Sequence, residues 1–369
     1  MVAITRVRRG LLALPLLGLL VSTATLATPA GAASAATPRQ YGLNVYVTDT
    51  CARPASDWQT LATNEMKGVK SLGANSVALA FGFYTTDINS NSVFTANWCT
   101  AASTPSETGL GPRTGPGPYM PVYNSPSPAR LGVLVKTAHK AGLRVVLRPL
   151  LNEAHLTKWR GAIAPTNVKA WFTSYESVLR PYLRMAQNNK VEQFAISGEL
   201  NSLQNSPYWP SVIKFARHLY SGKLLVTPTW PLGPTRHAAG TTFGVDAYPN
   251  FSHAPSSASV AQLLAGWNGA LRATSLPAGA TLYEVGINAV DGAYTFPSVF
   301  HNGVFDQQIQ VNWFTTACQF VKSHKLGGIY FWGSWLESNS GNLLSQPNPN
   351  AAAELQPASQ TAIRACFKH

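Results

Sequence analysis

Two glutamates, Glu199 and Glu284, each follow a short apolar run that predicts a buried strand, at residues 194–198 and 280–283. Cleavage of a glycosidic bond needs an acid that protonates the leaving oxygen and a second carboxylate near the anomeric carbon. In a retaining enzyme these carboxyl groups stand roughly 5–5.5 Å apart. Side chains at the carboxyl ends of parallel barrel strands project into one mouth. The pair therefore indicates a catalytic site for sugar hydrolysis.

Aromatic and polar side chains accompany the glutamates at the ends of neighbouring apolar runs. Sugars present apolar C–H faces, and binding sites of this kind combine aromatic surfaces with a few hydrogen-bonding groups. Arg148 ends the third run, where its cation either contacts a substrate hydroxyl or holds a carboxylate. Trp230 ends the fifth run and is better explained as a core or rim residue. The candidate substrate-binding residues are Arg148, Trp159, Arg160, Asn201, Asp246, Tyr248, Trp332 and Trp335.

Eight apolar runs alternate with helical periodicities from residue 41 onwards. Continuous apolar runs are typical of parallel strands that are covered on both faces. Amphipathic stripes at helical spacing lie between them, and Pro181 is expected to kink or interrupt one of these helices. The predicted strands are residues 41–47, 76–83, 143–149, 192–198, 223–229, 243–247, 280–284 and 327–332.

This alternation predicts a single (β/α)8 barrel of the α/β class, a fold that typically takes about 250 residues. A doubly wound open sheet is the rival fold, and it often carries a Gly-rich phosphate-binding turn after its first strand. Residues 41–46 lead into no such turn. In the barrel, Glu199 ends the fourth strand and Glu284 ends the seventh.

The longest irregular segment, residues 85–128, is rich in Ser, Thr, Asn, Gly and Pro. Its position after the second strand places it on the catalytic face, either as a functional loop or as a decoration without substrate contact. The four cysteines fit an oxidising compartment and allow three pairings. Proximity along the chain favours Cys51 with Cys99 and Cys318 with Cys366.

The first 35 residues have the organisation of a secretory signal peptide. Basic residues precede an apolar run at residues 11–20, and small residues suited to cleavage follow. The Arg8–Arg9 pair leaves general secretory and twin-arginine export both open. No later segment of the sequence has the roughly 18 consecutive apolar residues that a transmembrane helix needs. We expect residues 36–369 to form the catalytic domain of a secreted, extracellular protein.

Net charge and ligand motifs limit the other partners. The formal net charge is +13, but the basic residues after the leader are scattered and form no run that would indicate nucleic acid. The cysteines and histidines have no metal-ligand spacing, and no cofactor is implied. We expect a monomer that acts on a polysaccharide or oligosaccharide without stable membrane insertion.

Six stretches together resemble glycoside hydrolase family 113. This resemblance implies a retaining β-mannanase with a (β/α)8 fold and catalytic glutamates on strands four and seven. It spans most of residues 41–335, and its middle part is the most specific. The stretches are RVVLRP at 144–149, WRG at 159–161, WFTSY at 171–175, ISGEL at 196–200, GVDAY at 244–248 and GIYFW at 328–332.

The resemblance also implies roles for individual residues. Glu199 would be the general acid/base and Glu284 the nucleophile. Tyr248 would contact the nucleophile, and Trp332 would form the floor of the subsite that holds the reacting sugar. Arg148 stands where the family more often has lysine, and a planar guanidinium is not equivalent to a compact ammonium.

Gly198 is a second departure from the family. The clan commonly carries Asn before the acid/base glutamate and the mannanase family tends toward Thr, whereas Gly198 offers no side chain to the sugar 2-hydroxyl. Asn201 and Ser202 are candidates for the missing contact.

We expect a retaining hydrolase of β-linked polysaccharide, with β-1,4-mannan as the first substrate. A hydrolase of another β-glycan such as β-glucan is one alternative. A non-catalytic carbohydrate-binding barrel is another, but it does not explain two glutamates at strand ends. A cell-wall-associated structural protein is a third, and only the basic charge and the leader favour it.

Overall fold

The computed structural model describes the chain from residue 39 to residue 368, with internal gaps. This part of the chain belongs to one compact unit. The predicted leader, both Cys51 and Cys99, and most of the 85–128 segment lie outside the described residues. The described ranges are 39–49, 53–96, 125–154, 157–231, 239–252, 254–299 and 303–368.

The strands form a closed parallel barrel. Those in the described residues are β1 (Gln40–Tyr46), β2 (Ser76–Thr85), β3 (Arg144–Glu153), β4 (Gln193–Gly198), β5 (Lys223–Thr227), β6 (Thr229–Trp230), β7 (Thr242–Ala247), β8 (Thr281–Val285) and β9 (Gly328–Trp335). Neighbours pair in parallel, β1 joins β9, and the pairing of β5 with β7 closes the ring. The two-residue β6 follows β5 and also pairs with β7. The barrel therefore has eight positions, and the predicted (β/α)8 fold class is confirmed.

Helices between the strands pack on the outside of this barrel. They are α1 (Ala55–Ser71), α2 (Pro128–Lys140), α3 (Val168–Asn188), α4 (Trp209–Leu219), α5 (Val260–Ala273), α6 (Gln307–Ser323) and α7 (Pro357–Phe367). The predicted stripes face the core, and in α2 the four residues of the stripe are fully buried: Leu131, Leu134, Val135 and Ala138. The described helices include none that is long and apolar enough to cross a membrane.

Pro181 lies inside α3, which continues to Asn188, so of the two expected effects, a kink or an interruption, the interruption does not occur. Proline removes one backbone donor from a helix. On the same helix Trp171, Tyr175 and Tyr182 are buried against the barrel. Burial of three aromatic side chains outweighs the loss of a single backbone hydrogen bond.

Two stacked tyrosines fill the amino-terminal end of the barrel interior. Tyr283 of β8 and Tyr330 of β9 have ring centroids 5.2 Å apart, and both side chains are fully buried. The hydroxyl of Tyr283 donates to Gln193 at 2.6 Å and that of Tyr330 donates to Gln40 at 2.8 Å. The barrel floor is therefore packed and its polar groups are satisfied.

Glycines on the adjacent strands leave the space that these rings occupy. A Cβ atom at Gly42 would lie 2.3 Å from the ring of Tyr330, and one at Gly244 would lie 2.2 Å from the ring of Tyr283. Because no real Cβ atom approaches so closely, only glycine fits at either position.

The disulfide predicted between Cys318 and Cys366 is present and joins α6 to α7. The ring of Phe367 in α7 lies 5.2 Å from that of Tyr41 in β1. The covalent link therefore helps to hold the last helix over the junction between the first and last strands.

Replacing Gly42 with alanine should lower the free energy of unfolding by about 1–3 kcal/mol, because the new methyl group overlaps the Tyr330 ring. The matched control is Gly269→Ala in α5, where the closest side-chain contact to a new Cβ would be at 3.8 Å. That substitution should raise stability by roughly 0.5–1 kcal/mol. Urea unfolding of the two variants should give opposite signs, and equal shifts would contradict the close packing at Gly42.

Candidate active site

Both candidate glutamates lie at the carboxyl ends of barrel strands. Glu284 is within β8 and Glu199 directly follows β4, and each residue is 6% exposed. Glu199 has a φ of 53°, a left-handed conformation that costs a non-glycine residue on the order of 1 kcal/mol. Its backbone N–H donates to the carbonyl of Thr227 at 2.8 Å. The neighbouring strand β5 thereby stabilises the strained turn that carries the Glu199 carboxyl.

The two carboxylate oxygens of Glu284 are held by different donors. The hydroxyl of Tyr248 donates to Oε1 at 2.6 Å, and Nη1 of Arg148 donates to Oε2 at 3.0 Å. Charge-assisted hydrogen bonds of this kind are short and strong. The Glu284 carboxyl is therefore fixed in one orientation at the mouth of the barrel.

Arg148 is fully buried and is shared among three strands. Its Nη2 donates to Asp246 at 2.6 Å, and its Nη1 also donates to Asn44 at 2.8 Å and to the carbonyl of Tyr283 at 3.1 Å. Asp246 is likewise 0% exposed. Arg148 and Asp246 were both predicted to bind substrate; in the structure both lack exposed surface, and Arg148 joins Asp246 to Glu284. For Arg148 this is the second of the two alternatives, in which its cation holds a carboxylate.

The electrostatics of Glu284 follow from burial and its charged neighbours. Burial raises the pKa of the Glu284 carboxyl above its ordinary value, while Arg148 opposes this shift. The charge of Glu199 raises the same pKa further, so the two carboxyls are within electrostatic reach of each other. Burial lowers the pKa of Arg148, but Asp246 and Glu284 more than compensate, so this pKa lies above its ordinary value. Arg148 therefore stays charged opposite Glu284.

Glu199 is held by three side chains that are separate from the Arg148 group. Nη1 of Arg160 donates to Oε2 at 2.5 Å, and Nε1 of Trp159 donates to the same oxygen at 3.4 Å. Oγ1 of Thr229, in β6, donates to Oε1 at 2.8 Å. The loop after β3 and the end of the fifth barrel position therefore meet at the Glu199 carboxyl.

Hydrogen bonds stabilise the loop after β3 that carries Trp159 and Arg160. Oε2 of Glu153 accepts a hydrogen bond from the backbone N–H of Thr157 at 2.7 Å. Nη2 of Arg160 donates to Oδ1 of Asn152 at 2.7 Å. These contacts fix both ends of the short loop, so Arg160 reaches Glu199 without a long flexible segment.

Trp159 is the exposed member of this group, with 46% of its surface accessible. Its ring lies over Gly161, where a Cβ atom would come within 2.3 Å of the indole. The indole ring thus packs on Gly161 with one side and is hydrogen-bonded to Glu199, while its other side faces outward. A flat aromatic surface beside a carboxyl suits the apolar face of a sugar.

Aromatic side chains from the first and last strands line the mouth next to the glutamates. The rings of Trp332 and Trp335 lie 6.1 Å apart at an angle of 85°, and Tyr46 lies 6.0 Å from Trp332. Leu150 packs with this group and is 3.4 Å from the position that a Cβ atom of Gly198 would take. The apolar lining therefore extends to the residue before the acid/base candidate.

The remaining sequence candidates lie around this centre. Oδ1 of Asn201 accepts from the backbone N–H of Thr229 at 3.5 Å, and the hydroxyl of Ser202 donates to the carbonyl of Ile163. Trp230 is 3% exposed and packs on Trp267 with ring centroids 6.0 Å apart. Trp230 is therefore a core residue, the interpretation that the sequence favoured.

Four residues of the site, Asn44, Asn152, Thr227 and Thr229, are missing from the sequence candidates. Asn44 had a signal, because it is an isolated polar residue inside an apolar strand and a buried amide needs partners. Asn152 lies beyond the predicted end of β3. Thr227 donates to Asp246 at 3.3 Å and Thr229 to Glu199, but β-branched residues are ordinary in strands. Sequence alone could not single out Thr227 and Thr229.

Comparison of the sequence with known proteins gives one family match. The sequence pattern of Glycoside Hydrolase Family 113 matches residues 123–348, which is more than half of the chain. No curated protein matches the chain in the corresponding comparison.

Solved structures share the whole barrel. A family 113 β-1,4-mannanase has a TM-score of 0.66 at 15% identity, covering 90% of this chain and 99% of that chain. The family 113 β-mannanase of Alicyclobacillus acidocaldarius has a TM-score of 0.64 at 17% identity, covering 90% and 98%. A family 5 mannosidase of Rhizomucor miehei has a TM-score of 0.51 at 10% identity, covering 89% and 92%. At these identities the structural similarity shows the fold, and the sequence pattern shows the family. This chain belongs to glycoside hydrolase family 113.

Proposed function

We propose that this glycoside hydrolase cleaves β-1,4-linked mannan within the polysaccharide chain by a retaining, two-step mechanism. The observation that carries the proposal is the pair Glu284 and Glu199 at one barrel mouth, where their charges interact and each carboxyl has its own donors. The solved family 113 structures that share the fold are described as β-mannanases, and this supports mannan as the substrate.

In the first step Glu284 attacks the anomeric carbon while Glu199 protonates the departing sugar oxygen. Arg148 and Tyr248 hold the Glu284 carboxylate, so attack requires no reorientation of the nucleophile. The products of this step are a covalent glycosyl-enzyme and a shortened polysaccharide with a new end.

In the second step Glu199, now ionised, accepts a proton from water. The water oxygen bonds to the anomeric carbon and displaces Glu284, which returns the sugar with its original configuration. Trp332 and Trp335 supply an apolar surface for the reacting sugar, and Trp159 supplies one beside the acid/base. Each role follows from the position of the side chain around the two carboxyls.

A β-glucan is the second candidate substrate, and Gly198 is the observation that favours it. A residue without a side chain beside the acid/base gives no contact that distinguishes the 2-hydroxyl of mannose from that of glucose. Reducing-end release from soluble β-mannan and β-glucan under identical conditions distinguishes the two candidates.

The proposal also includes export of the protein from the cell. The leader pattern in residues 1–35 supports secretion to the extracellular medium, where polysaccharide substrates occur. We propose that the enzyme acts there as a monomer.

Replacing Glu284 with alanine should lower the turnover of mannan by roughly 10³-fold or more, because the covalent step loses its nucleophile. Azide should restore product formation in Glu284→Ala and yield a glycosyl azide of inverted configuration. In Glu199→Ala, azide should instead replace water in the second step and yield the retained configuration. Reducing-end assays and NMR of the azide products measure both effects.

The control for both alanine variants is Glu192→Gln, at the amino-terminal end of the barrel. Glu192 pairs with His139 at 3.2 Å, so this variant removes a half-buried carboxylate charge without touching the mouth. It should keep the turnover of the original protein. Near-normal turnover in either alanine variant would refute the assignment of that residue.

The pH profile should report the ionisation of Glu284. Only the carboxylate form attacks, so kcat/KM falls as pH drops through the pKa of Glu284, which burial raises. In Arg148→Lys the compact ammonium cannot contact both Asp246 and Glu284, as the planar guanidinium of arginine does. The acidic limb of kcat/KM should therefore move to higher pH in that variant.

The matched control for this profile is Arg130→Lys, which changes an ion pair with Asp49 at 3.5 Å, between the segment after β1 and the first turn of α2. Its acidic limb should coincide with that of the original protein. Superimposable acidic limbs for Arg148→Lys and the original protein would show that Arg148 does not set the ionisation of Glu284.

Trp159→Ala should raise KM for mannotetraose roughly 3- to 10-fold, because an aromatic stacking surface is lost. Trp159→Phe keeps a ring and should leave most of that affinity. Phe296→Ala removes another exposed aromatic, 49% accessible, and should leave KM unchanged. Equal KM values for Trp159→Ala and the original protein would exclude a sugar platform at this position.

A further inference from the structure

Thr229 differs in its chemistry from the other two groups that hold Glu199. Arg160 and Trp159 both donate to Oε2, and neither a guanidinium nor an indole N–H can accept. A carboxylate oxygen offers about two lone-pair positions, and two donors face those of Oε2. A proton on Oε2 would point at one of these donors, so Oε2 stays unprotonated in both forms of the carboxyl.

Oε1 has different surroundings. Within the described part of the chain, its hydrogen-bond partner is Oγ1 of Thr229, at 2.8 Å. A hydroxyl both donates and accepts, so this contact persists whether Oε1 is ionised or protonated. The single contact also leaves a second lone-pair position on Oε1 for the proton that is transferred.

The backbone of Thr229 is fixed well enough to act as a positioning element. Thr229 is paired with Asp246 in the register between β6 and β7, and the next residue, Trp230, is buried in the core. Its N–H donates to Asn201 at 3.5 Å. The hydroxyl therefore projects toward Glu199 from an anchored segment.

We propose that Oε1 of Glu199 is the atom that gives and takes the catalytic proton, and that Thr229 is the positioning residue that aims this oxygen. The proposal rests on Glu199 being the acid/base of the proposed function.

The proton that Oε1 gives up in the first step is replaced in the second. In the first step the Oε1–H bond breaks as the proton moves to the glycosidic oxygen, whose bond to the anomeric carbon breaks while Glu284 bonds to that carbon. In the second step Oε1 takes a proton from water, whose oxygen bonds to the anomeric carbon as the bond to Glu284 breaks. Thr229 donates to Oε1 whenever Glu199 is ionised, so its hydroxyl needs no partner other than Glu199.

The test compares Thr229→Val, which removes the hydroxyl at nearly constant shape, with Thr229→Ser, which keeps it. The substrates are phenyl β-mannobioside, whose leaving group needs a proton, and 2,4-dinitrophenyl β-mannobioside, whose leaving group does not. Thr229→Val should lower kcat/KM for the phenyl substrate roughly 10- to 100-fold and leave that for the dinitrophenyl substrate nearly unchanged. Thr229→Ser should restore the phenyl reaction.

The matched control is Thr274→Val at the end of α5, where the hydroxyl donates to the helix carbonyl of Ala270 at 3.0 Å. It should change neither reaction. Equal losses on both leaving groups in Thr229→Val would show a merely structural role, and no loss on either would show no role. Both results overturn the proposal.

Failure of the proposed function can be distinguished from failure of the Thr229 proposal. If the original protein hydrolyses neither mannobioside, the mannan proposal is contradicted, and the same comparison is made with the aryl β-cellobiosides. The proton-transfer argument concerns the leaving oxygen rather than the sugar, so the leaving-group pattern in Thr229→Val decides it with either series.

Discussion

A single buried guanidinium organises the centre of this barrel. Arg148 is fully enclosed, and its fork joins Asp246 on β7 to Glu284 on β8. Removing one partner from a buried ion pair typically costs about 3–5 kcal/mol, because the other charge is left without compensation. The ion pair with Arg148 therefore stabilises Glu284 in its buried position. Arg148 supplies one hydrogen bond to the Glu284 carboxyl, and Tyr248 supplies the other.

The interior of the barrel changes in character along its axis, and this explains where the ion pair lies. Stacked Tyr283 and Tyr330 fill the amino-terminal end, and Asn44, Arg148 and Asp246 form the layer above them. Water is excluded from below by the tyrosines, so the charges of the middle layer act through a medium of low polarity. The carboxyl-terminal mouth, with its aromatic lining, is the open end. Glu199 and Glu284 thus lie between a buried polar layer and the open end of the barrel.

The two glutamates are held by different kinds of partner, in agreement with the different tasks that the proposed mechanism gives them. In that mechanism Glu284 must be ionised when it attacks, and Arg148, a donor that never loses its charge, is one of its partners. Glu199 must alternate between two protonation states in the same mechanism, and one of its oxygens contacts a hydroxyl that tolerates both. The Arg148 group lies within the strands, whereas Arg160 and Trp159 come from a loop. Differences in loop structure can therefore change the surroundings of Glu199 without disturbing Glu284.

Much of this arrangement could be predicted from the sequence, because strand ends and barrel mouths follow general rules. The apolar runs predicted all eight barrel positions, and the two glutamates lie at the predicted strand ends. The role of Arg148 was left between two alternatives, since full burial depends on packing from three strands that are distant in sequence. Thr229 was missed for a similar reason. Its contact with Glu199 depends on the left-handed turn at Glu199, and no local pattern marks that turn.

Gly198 shows how a glycine at the site differs from one that the fold requires. At Gly42 and Gly244 a Cβ atom would overlap an aromatic ring, so the barrel floor requires glycine. At Gly198 the backbone lies outside the left-handed region, and a Cβ atom would meet Leu150 at 3.4 Å and Thr227 at 3.6 Å, which are ordinary contact distances. Packing and backbone geometry therefore both permit a side chain beside the acid/base. The fold therefore does not demand glycine here, and in the proposed function the choice between β-linked substrates falls to the surrounding aromatic residues and loops.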